Sequence, residues 1–303
     1  VDRRRSGVPA MALTLSALMT AGSAAAQTSP LPPQLPAAYV EAIRSPLRHP
    51  LREAGVVRSR QTAGARADGT PLMVDLTLPR QEAGKPVPVV VLVHGGLSDE
   101  APIKPSAWQV YRDWGAVLAA SGVAAVMFDH TLGVPRRRLD QAMGEVDAVL
   151  AWLAKEGASR GLDLQRVRAF VFSAGGLLVP ELLSDGRPVR IDSVAMFYPS
   201  TGIVPGSPSA AVVDAAVGER MSLRAAAARL AKRGTPLLML RAGKDEIPGL
   251  LAMLDETTTA LLAADAPVEV VNLPAAPHSF DYRLDRPDVR AGIDRALALA
   301  GRP

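Results

Sequence analysis

The sequence contains no cysteine. This excludes a disulfide framework, a cysteine nucleophile, a thiolate zinc site and a lipid-bearing cysteine. It leaves the compartment open, because an exported protein need not carry disulfides. Histidine is scarce: His49, His94, His130 and His278 are the only four. Aromatic residues make up 4% of the chain, which gives no sign of a stacking cleft for aromatic polymers. Charge of one sign is not concentrated either. The net charge of +4 is spread along the chain, with much of it in Arg3, Arg4 and Arg5, so there is no nucleic-acid footprint. The run Arg136-Arg137-Arg138 reads as a solvated helix start. Beyond the N-terminal region, no segment is long and apolar enough to span a membrane.

What is present is enough for a large core: 303 residues, 48% of them hydrophobic. Residues 1–26 read as a secretory signal peptide. Arg3 to Arg5 form a positive start, Val8 to Gly22 are apolar but too short to span a bilayer, and Ala24-Ala25-Ala26 supplies a cleavage pattern. Export to the periplasm or medium is therefore expected, with the twin-arginine route left open. Residues 27–55 are rich in proline and read as a surface arm or linker. Residues 56–303 read as a single α/β domain.

Within that domain, strand and helix patterns alternate. Leu72 to Leu78 alternate apolar and polar residues, which predicts an edge strand. Val87 to Val93 is a continuous β-branched run, which predicts a strand buried on both faces. Further strands are expected at Val123–Phe128, Val167–Phe172, Ile191–Tyr198, Pro236–Arg241 and Val268–Leu273. Helices are expected at Ala107–Ala120, Arg137–Lys155, Gly175–Leu183, Leu250–Ala264 and Asp288–Ala300. The alternation predicts a mostly parallel central sheet with helices on both faces. Residues 200–235 interrupt it and read as either a short cap over the site or a long crossover.

Four features carry chemistry. Phe172-Ser173-Ala174-Gly175-Gly176 falls between a strand and a helix. A serine held on a tight turn there, beside small residues, is presented as a nucleophile. His94-Gly95-Gly96-Leu97 follows a buried strand. Backbone N–H groups at such a turn can stabilise the negative charge of an acyl-transfer intermediate. The expected donors are Gly96, with Leu97 as the alternative, and Ala174. His278 is the only histidine after Ser173, in a loop beyond the last strand; His130, at another strand end, is its competitor as base. Asp245 follows the strand Pro236–Arg241, where ligands meet open sheets, with Glu246 as the fallback acid. His94, Gly95, Leu97 and His130 are further candidates for lining a substrate site.

The order Ser173, Asp245, His278 resembles the α/β-hydrolase superfamily, whose triad runs Ser, acid, His. From Leu72 onward, the H-G-G turn, the F-S-A-G-G elbow, A-G-K-D-E and A-P-H-S-F-D look most like its dienelactone-hydrolase-like and acetyl-esterase-like members. The resemblance implies the α/β-hydrolase fold and hydrolysis of small carboxylic esters through a Ser173 acyl-enzyme, with no cofactor or metal. Two departures stand out. Val171 occupies the usual glycine position two before the serine, and dienelactone hydrolases proper use cysteine. A prolyl-oligopeptidase-like exopeptidase, a polyester or cutin hydrolase, and a non-catalytic binding protein on the same fold are the alternatives. The partner expected is a small ester; oligomeric state is not legible.

Overall fold

The period-2 pattern of the apolar strands places alternate side chains in two separate hydrophobic layers. In Val87–Val93, the side chains of Val89, Val91 and Val93 enter one layer, and Val90 and Leu92 enter the other. Val167, Ala169 and Val171 share the first layer, while Phe170 and Phe172 share the second. Burying each valine or phenylalanine contributes roughly 1.5–3 kcal/mol, an upper estimate. A strand buried on both faces must be central, and these are.

The computed structural model describes residues 37–50, 56–80, 85–97, 101 and 103–302. The expected signal peptide, residues 27–36 and residues 51–55 lie outside the described residues. The strands are β1 (Val57–Ala65), β2 (Pro71–Leu78), β3 (Val87–Val93), β4 (Ala124–Phe128), β5 (Leu162–Phe172), β6 (Ser193–Phe197), β7 (Leu237–Ala242) and β8 (Val268–Leu273). They form an eight-stranded sheet in the order β1-β2-β4-β3-β5-β6-β7-β8. β1 and β2 pair antiparallel, as do β2 and β4; the pairs from β4 through β3 to β8 are parallel.

The helices are α1 (Ala37–Arg44), α2 (Gln109–Ala120), α3 (Leu139–Glu156), α4 (Val179–Leu182), α5 (Ala215–Arg220), α6 (Ala227–Arg233), α7 (Leu250–Ala263), α8 (Phe280–Arg283) and α9 (Pro287–Gly301). Buried side chains of α3, α6 and α7 pack in the first layer, and those of α2 and α9 in the second. Helices therefore cover both faces, the mostly parallel arrangement expected from sequence. No helix among the described residues is long and apolar enough to cross a membrane.

Four details differ from the sequence reading. β2 is not an edge strand, because β1 lies outside it. β1 (VRSRQTAGA) is exposed or half-exposed along its length, so it carries no apolar alternation to betray it. Part of the proline-rich stretch is ordered against the sheet layers. α1 buries Ala42 and Ile43, and Leu47 follows at 4% exposure. The Leu47 N–H donates to Asp113 at 3.0 Å. The helix expected over Gly175–Leu183 is instead a 3₁₀ turn, Ser173–Leu178, followed by the single turn α4. Finally, residues 200–235 divide. Residues 202–209 form a loop lining a cavity, whereas α6 buries Leu230 in the first layer on the way to β7.

Candidate active site

Ser173 begins the turn after β5 with φ of +48°, a left-handed conformation unusual for a residue with a Cβ. Such strain is characteristic of a serine lifted off a strand end. The glycines after it are required by close approach. A Cβ on Gly175 would lie 2.6 Å from the His94 carbonyl oxygen and 2.9 Å from that of Val93. One on Gly176 would lie 2.4 Å from the Ser200 carbonyl oxygen. Val171 is fully buried in the first layer, and its Cγ1 lies 3.2 Å from where a Gly175 Cβ would be. The valine is thus accommodated in part because the facing residue is glycine.

The structure brings the sequence-predicted Ser173, His278 and Asp245 together. Ser173 Oγ lies 2.8 Å from His278 Nε2, and His278 Nδ1 lies 2.6 Å from Asp245 Oδ2. With a carboxylate at Nδ1, the tautomer consistent with these partners carries its proton there. Nε2 is then the acceptor for the Ser173 hydroxyl. The Asp245 side chain is 2% exposed, and its other oxygen accepts the Ile247 N–H at 3.0 Å. Glu246 does not replace it. Its Oε2 accepts the His278 backbone N–H at 3.0 Å, and Oε1 pairs with Arg283 at 2.9 Å. Burial opposes the Glu246 charge, but the bonds from Arg283 and the His278 amide outweigh it and hold the carboxyl below its usual range. Arg283 also donates to the His278 carbonyl at 2.9 Å, so the histidine loop is held from both sides.

Sequence reasoning missed the support beneath His278. The Tyr198 ring and the imidazole meet in an edge-type contact, with centroids 4.7 Å apart. The Tyr198 hydroxyl donates to Asp281 Oδ1 at 2.8 Å, and Trp114 Nε1 donates to Oδ2 at 3.0 Å. Burial pushes the Asp281 carboxyl up, while the Trp114 and Tyr198 bonds pull the other way. The position of Tyr198 just past a strand end was the only available signal.

The His94-Gly95-Gly96 turn lies against the serine turn. A Cβ on Gly95 would be 3.1 Å from Ser173 Cβ, and one on Gly96 would be 3.0 Å from Ala174 Cβ. The Gly95 N–H points at the Tyr111 hydroxyl, 3.4 Å away. Burial raises the pKa of that phenol, keeping it neutral. Gly95 and Gly96 line the cavity; Leu97 is half-buried away from its wall.

His94 and His130 need correction as substrate-site candidates. Both are buried behind the turn, with rings stacked 3.7 Å apart at 7°. His130 Nε2 bonds the His94 carbonyl at 3.0 Å, and the His130 N–H donates to His94 Nε2 at 3.1 Å. Burial pushes His94 down to about 4 and His130 well below its ordinary value. Two neutral rings stapling two strand ends cannot reach a substrate, and His130 is not placed to serve Ser173. His49 lies elsewhere, 3.0 Å from Asp294.

The Ser173 hydroxyl faces a cavity of about 590 Å³. Trp108, Tyr111, Tyr198, Leu177, Ile203 and Val204 supply much of its apolar wall. Arg137 also lines it, which corrects its reading as part of a solvated helix start. Its backbone is left-handed, φ +51°, and its side chain lines the cavity, whereas Arg136 is exposed.

No family model matches the sequence. A 121-residue stretch is 29% identical to the non-reducing polyketide synthase stbA of Stachybotrys bisbyi, spanning 37% of this chain. The match covers only 5% of that synthase's length. Among solved structures, the chain resembles brefeldin A esterase, a bacterial homologue of human hormone-sensitive lipase, with a TM-score of 0.65 and 18% identity. That alignment covers 86% of this chain and 81% of the other. A bacterial heroin esterase aligns with a TM-score of 0.64 and 19% identity, over 82% and 86% of the two chains. A fungal esterase from Rhizomucor miehei aligns with a TM-score of 0.62 and 19% identity, over 87% and 86%. The sheet order, the serine turn after β5 and these likenesses agree: the chain has the α/β-hydrolase fold.

Proposed function

We propose that the chain is a serine carboxylesterase that cleaves small esters through an acyl-enzyme on Ser173. The observation that carries this is the hydrogen-bonded run Asp245–His278–Ser173, at 2.6 and 2.8 Å, opening onto the cavity. His278 Nε2 takes the Ser173 proton as Oγ attacks the ester carbonyl. Asp245 holds the imidazole in the right tautomer and stabilises the imidazolium. The N–H groups of Gly96 and Ala174 face the developing oxyanion. His278 then gives the proton to the leaving alcohol, and water repeats the cycle on the acyl-enzyme. No step needs a metal or cofactor. A cavity of about 590 Å³, walled by aromatic and aliphatic side chains with Arg137 and several serines among them, suits a small ester. The positive and apolar start of the sequence supports export as part of the same proposal.

The test is labelling with a fluorophosphonate probe and turnover of short 4-nitrophenyl esters, each beside Ser173→Ala. Labelling and turnover lost in the variant by about 10⁴-fold or more are expected. Absence of both in the wild type rejects the esterase reading, and aminoacyl anilides in parallel would reveal a peptidase. N-terminal sequencing of the protein from a periplasmic fraction tests export; a retained N-terminus there refutes cleavage near Ala26.

A further inference from the structure

Arg137 carries a charge into the cavity and has no counter-ion among the described residues. Among the described residues that line the cavity, none is an aspartate or glutamate. Of its five N–H donors, Nε bonds Ser209 Oγ at 3.1 Å and Nη1 bonds the Gly133 carbonyl at 3.2 Å. Nη2 has no protein partner among the described residues. Burial drives its pKa down, and no carboxylate among the described residues pulls it back. Arg137 is half-buried on the cavity wall, and partly removing a guanidinium from water without pairing it costs free energy, to which its left-handed backbone adds. A charge held under those conditions is expected where a ligand completes it.

Its position says which ligand. A Cβ on Gly96 would lie 2.9 Å from Arg137 Nη1 and 3.0 Å from Ala174 Cβ. The guanidinium therefore stands beside the two residues whose amides are assigned to the oxyanion. The two neutral bonds at Nε and Nη1 fix its plane and leave the Nη2 hydrogens for an anionic oxygen acceptor. A carboxylate oxygen matches that donor in charge and forms a charge-assisted bond with it. We propose that Arg137 is a specificity-determining residue that selects esters carrying a free carboxylate within a few bonds of the scissile carbonyl. This rests on the esterase reading above.

The test compares an ester with a carboxylate on its acyl part (4-nitrophenyl hydrogen glutarate) with neutral 4-nitrophenyl butyrate. It also compares one with the carboxylate on its alcohol part (4-acetoxybenzoate) with neutral phenyl acetate. Wild type is expected to favour one anionic member of these pairs, and added salt to erode the preference. In Arg137→Gln the anionic-to-neutral ratio of kcat/KM should fall about 10- to 100-fold, the scale of a charge-assisted hydrogen bond. Equal losses on anionic and neutral esters, or no preference in wild type, would overturn the proposal. A binding measurement stands apart from both turnover and the folding of that variant. Ser173→Ala is titrated with glutarate, followed by the fluorescence of Trp108 on the cavity wall. Saturable, salt-sensitive binding is expected; its absence refutes the carboxylate site even if neutral esters are hydrolysed. If glutarate binds but no ester turns over, the esterase reading fails while the anion site stands.

Discussion

Gly175→Ala puts the serine turn under a measurable load. Adding one methyl has two opposing effects. Gly175 does not have a positive φ, so alanine's lower unfolded-state entropy would by itself stabilise by about 0.4–1 kcal/mol. Against this, the new Cβ would sit 2.6 and 2.9 Å from two carbonyl oxygens and 3.2 Å from Val171 Cγ1. Favourable heavy-atom contacts lie near about 3.5–4.0 Å, so the turn must open by roughly 1 Å against backbone that cannot rotate aside. The obstructing carbonyls are those of Val93, the last residue of β3, and of His94 just after it, and β3 is paired with β4 and β5. Overpacking of this kind costs about 1–3 kcal/mol. The net is a destabilisation of about 1–2 kcal/mol, or roughly 2–4 °C in Tm for a chain of this size. Moving the serine turn away from Gly95 and Gly96 by that distance should lower kcat/KM about 100-fold. Thermal melts and ester turnover check both numbers, with Gly218→Ala as the control. There a Cβ would meet only Ile203 Cγ1 at 3.8 Å, within α5, so a small gain in stability and full activity are expected. A Gly175→Ala protein as stable and active as wild type would refute the close approach on which the serine turn rests.

The acid can be separated from its neighbour: Asp245→Asn should lower kcat by about 10²- to 10⁴-fold, because the amide favours the wrong histidine tautomer. Glu246→Gln, which touches only the His278 backbone and Arg283, should cost less than about 10-fold; the reverse ranking would show that the acid had been misassigned. The stacked histidines set acid stability. Burial holds His94 down to about 4 and His130 also low, so the unfolded chain binds more protons below about pH 6.5. Stability is therefore complete above that pH and falls as pH drops toward 4, by up to about 1.4 kcal/mol per pH unit for each ring. Urea unfolding at several pH values should show a shallower slope in His130→Gln; an unchanged slope would remove His130 from the account. Asp281→Ala strands the Trp114 and Tyr198 donors, each costing about 1–3 kcal/mol when buried and unpaired. Equilibrium unfolding should show at least a 2 kcal/mol loss by the same reasoning, and near-neutrality would mean that water replaces the carboxylate.

How far the sequence discloses this molecule depends on whether the deciding physics is local. The β3 run and β5 show themselves because burial on two faces demands an unbroken apolar sequence, and each strand supplies its own evidence. β1 stays hidden because its side chains face mostly solvent; only pairing with β2, set by backbone groups that every residue has, makes it a strand. The same distinction divides the site. Ser173, Asp245 and His278 could be found from a short motif and an order along the chain, because each stands at a strand end and the parallel topology brings strand ends together. Tyr198, Asp281 and Arg137 could not, because their roles come from partners far off in the chain: Trp114 and Tyr198 for Asp281, Ser209 for Arg137. Arg137 is the instructive case. Three successive arginines look alike in sequence, yet Arg137, at a backbone φ of +51°, lines the cavity while Arg136 is exposed, and residue identity specifies neither. Sequence thus discloses the three groups that the proposed reaction uses. The residue that would distinguish this site's substrate from another's is visible only once the chain has folded around it.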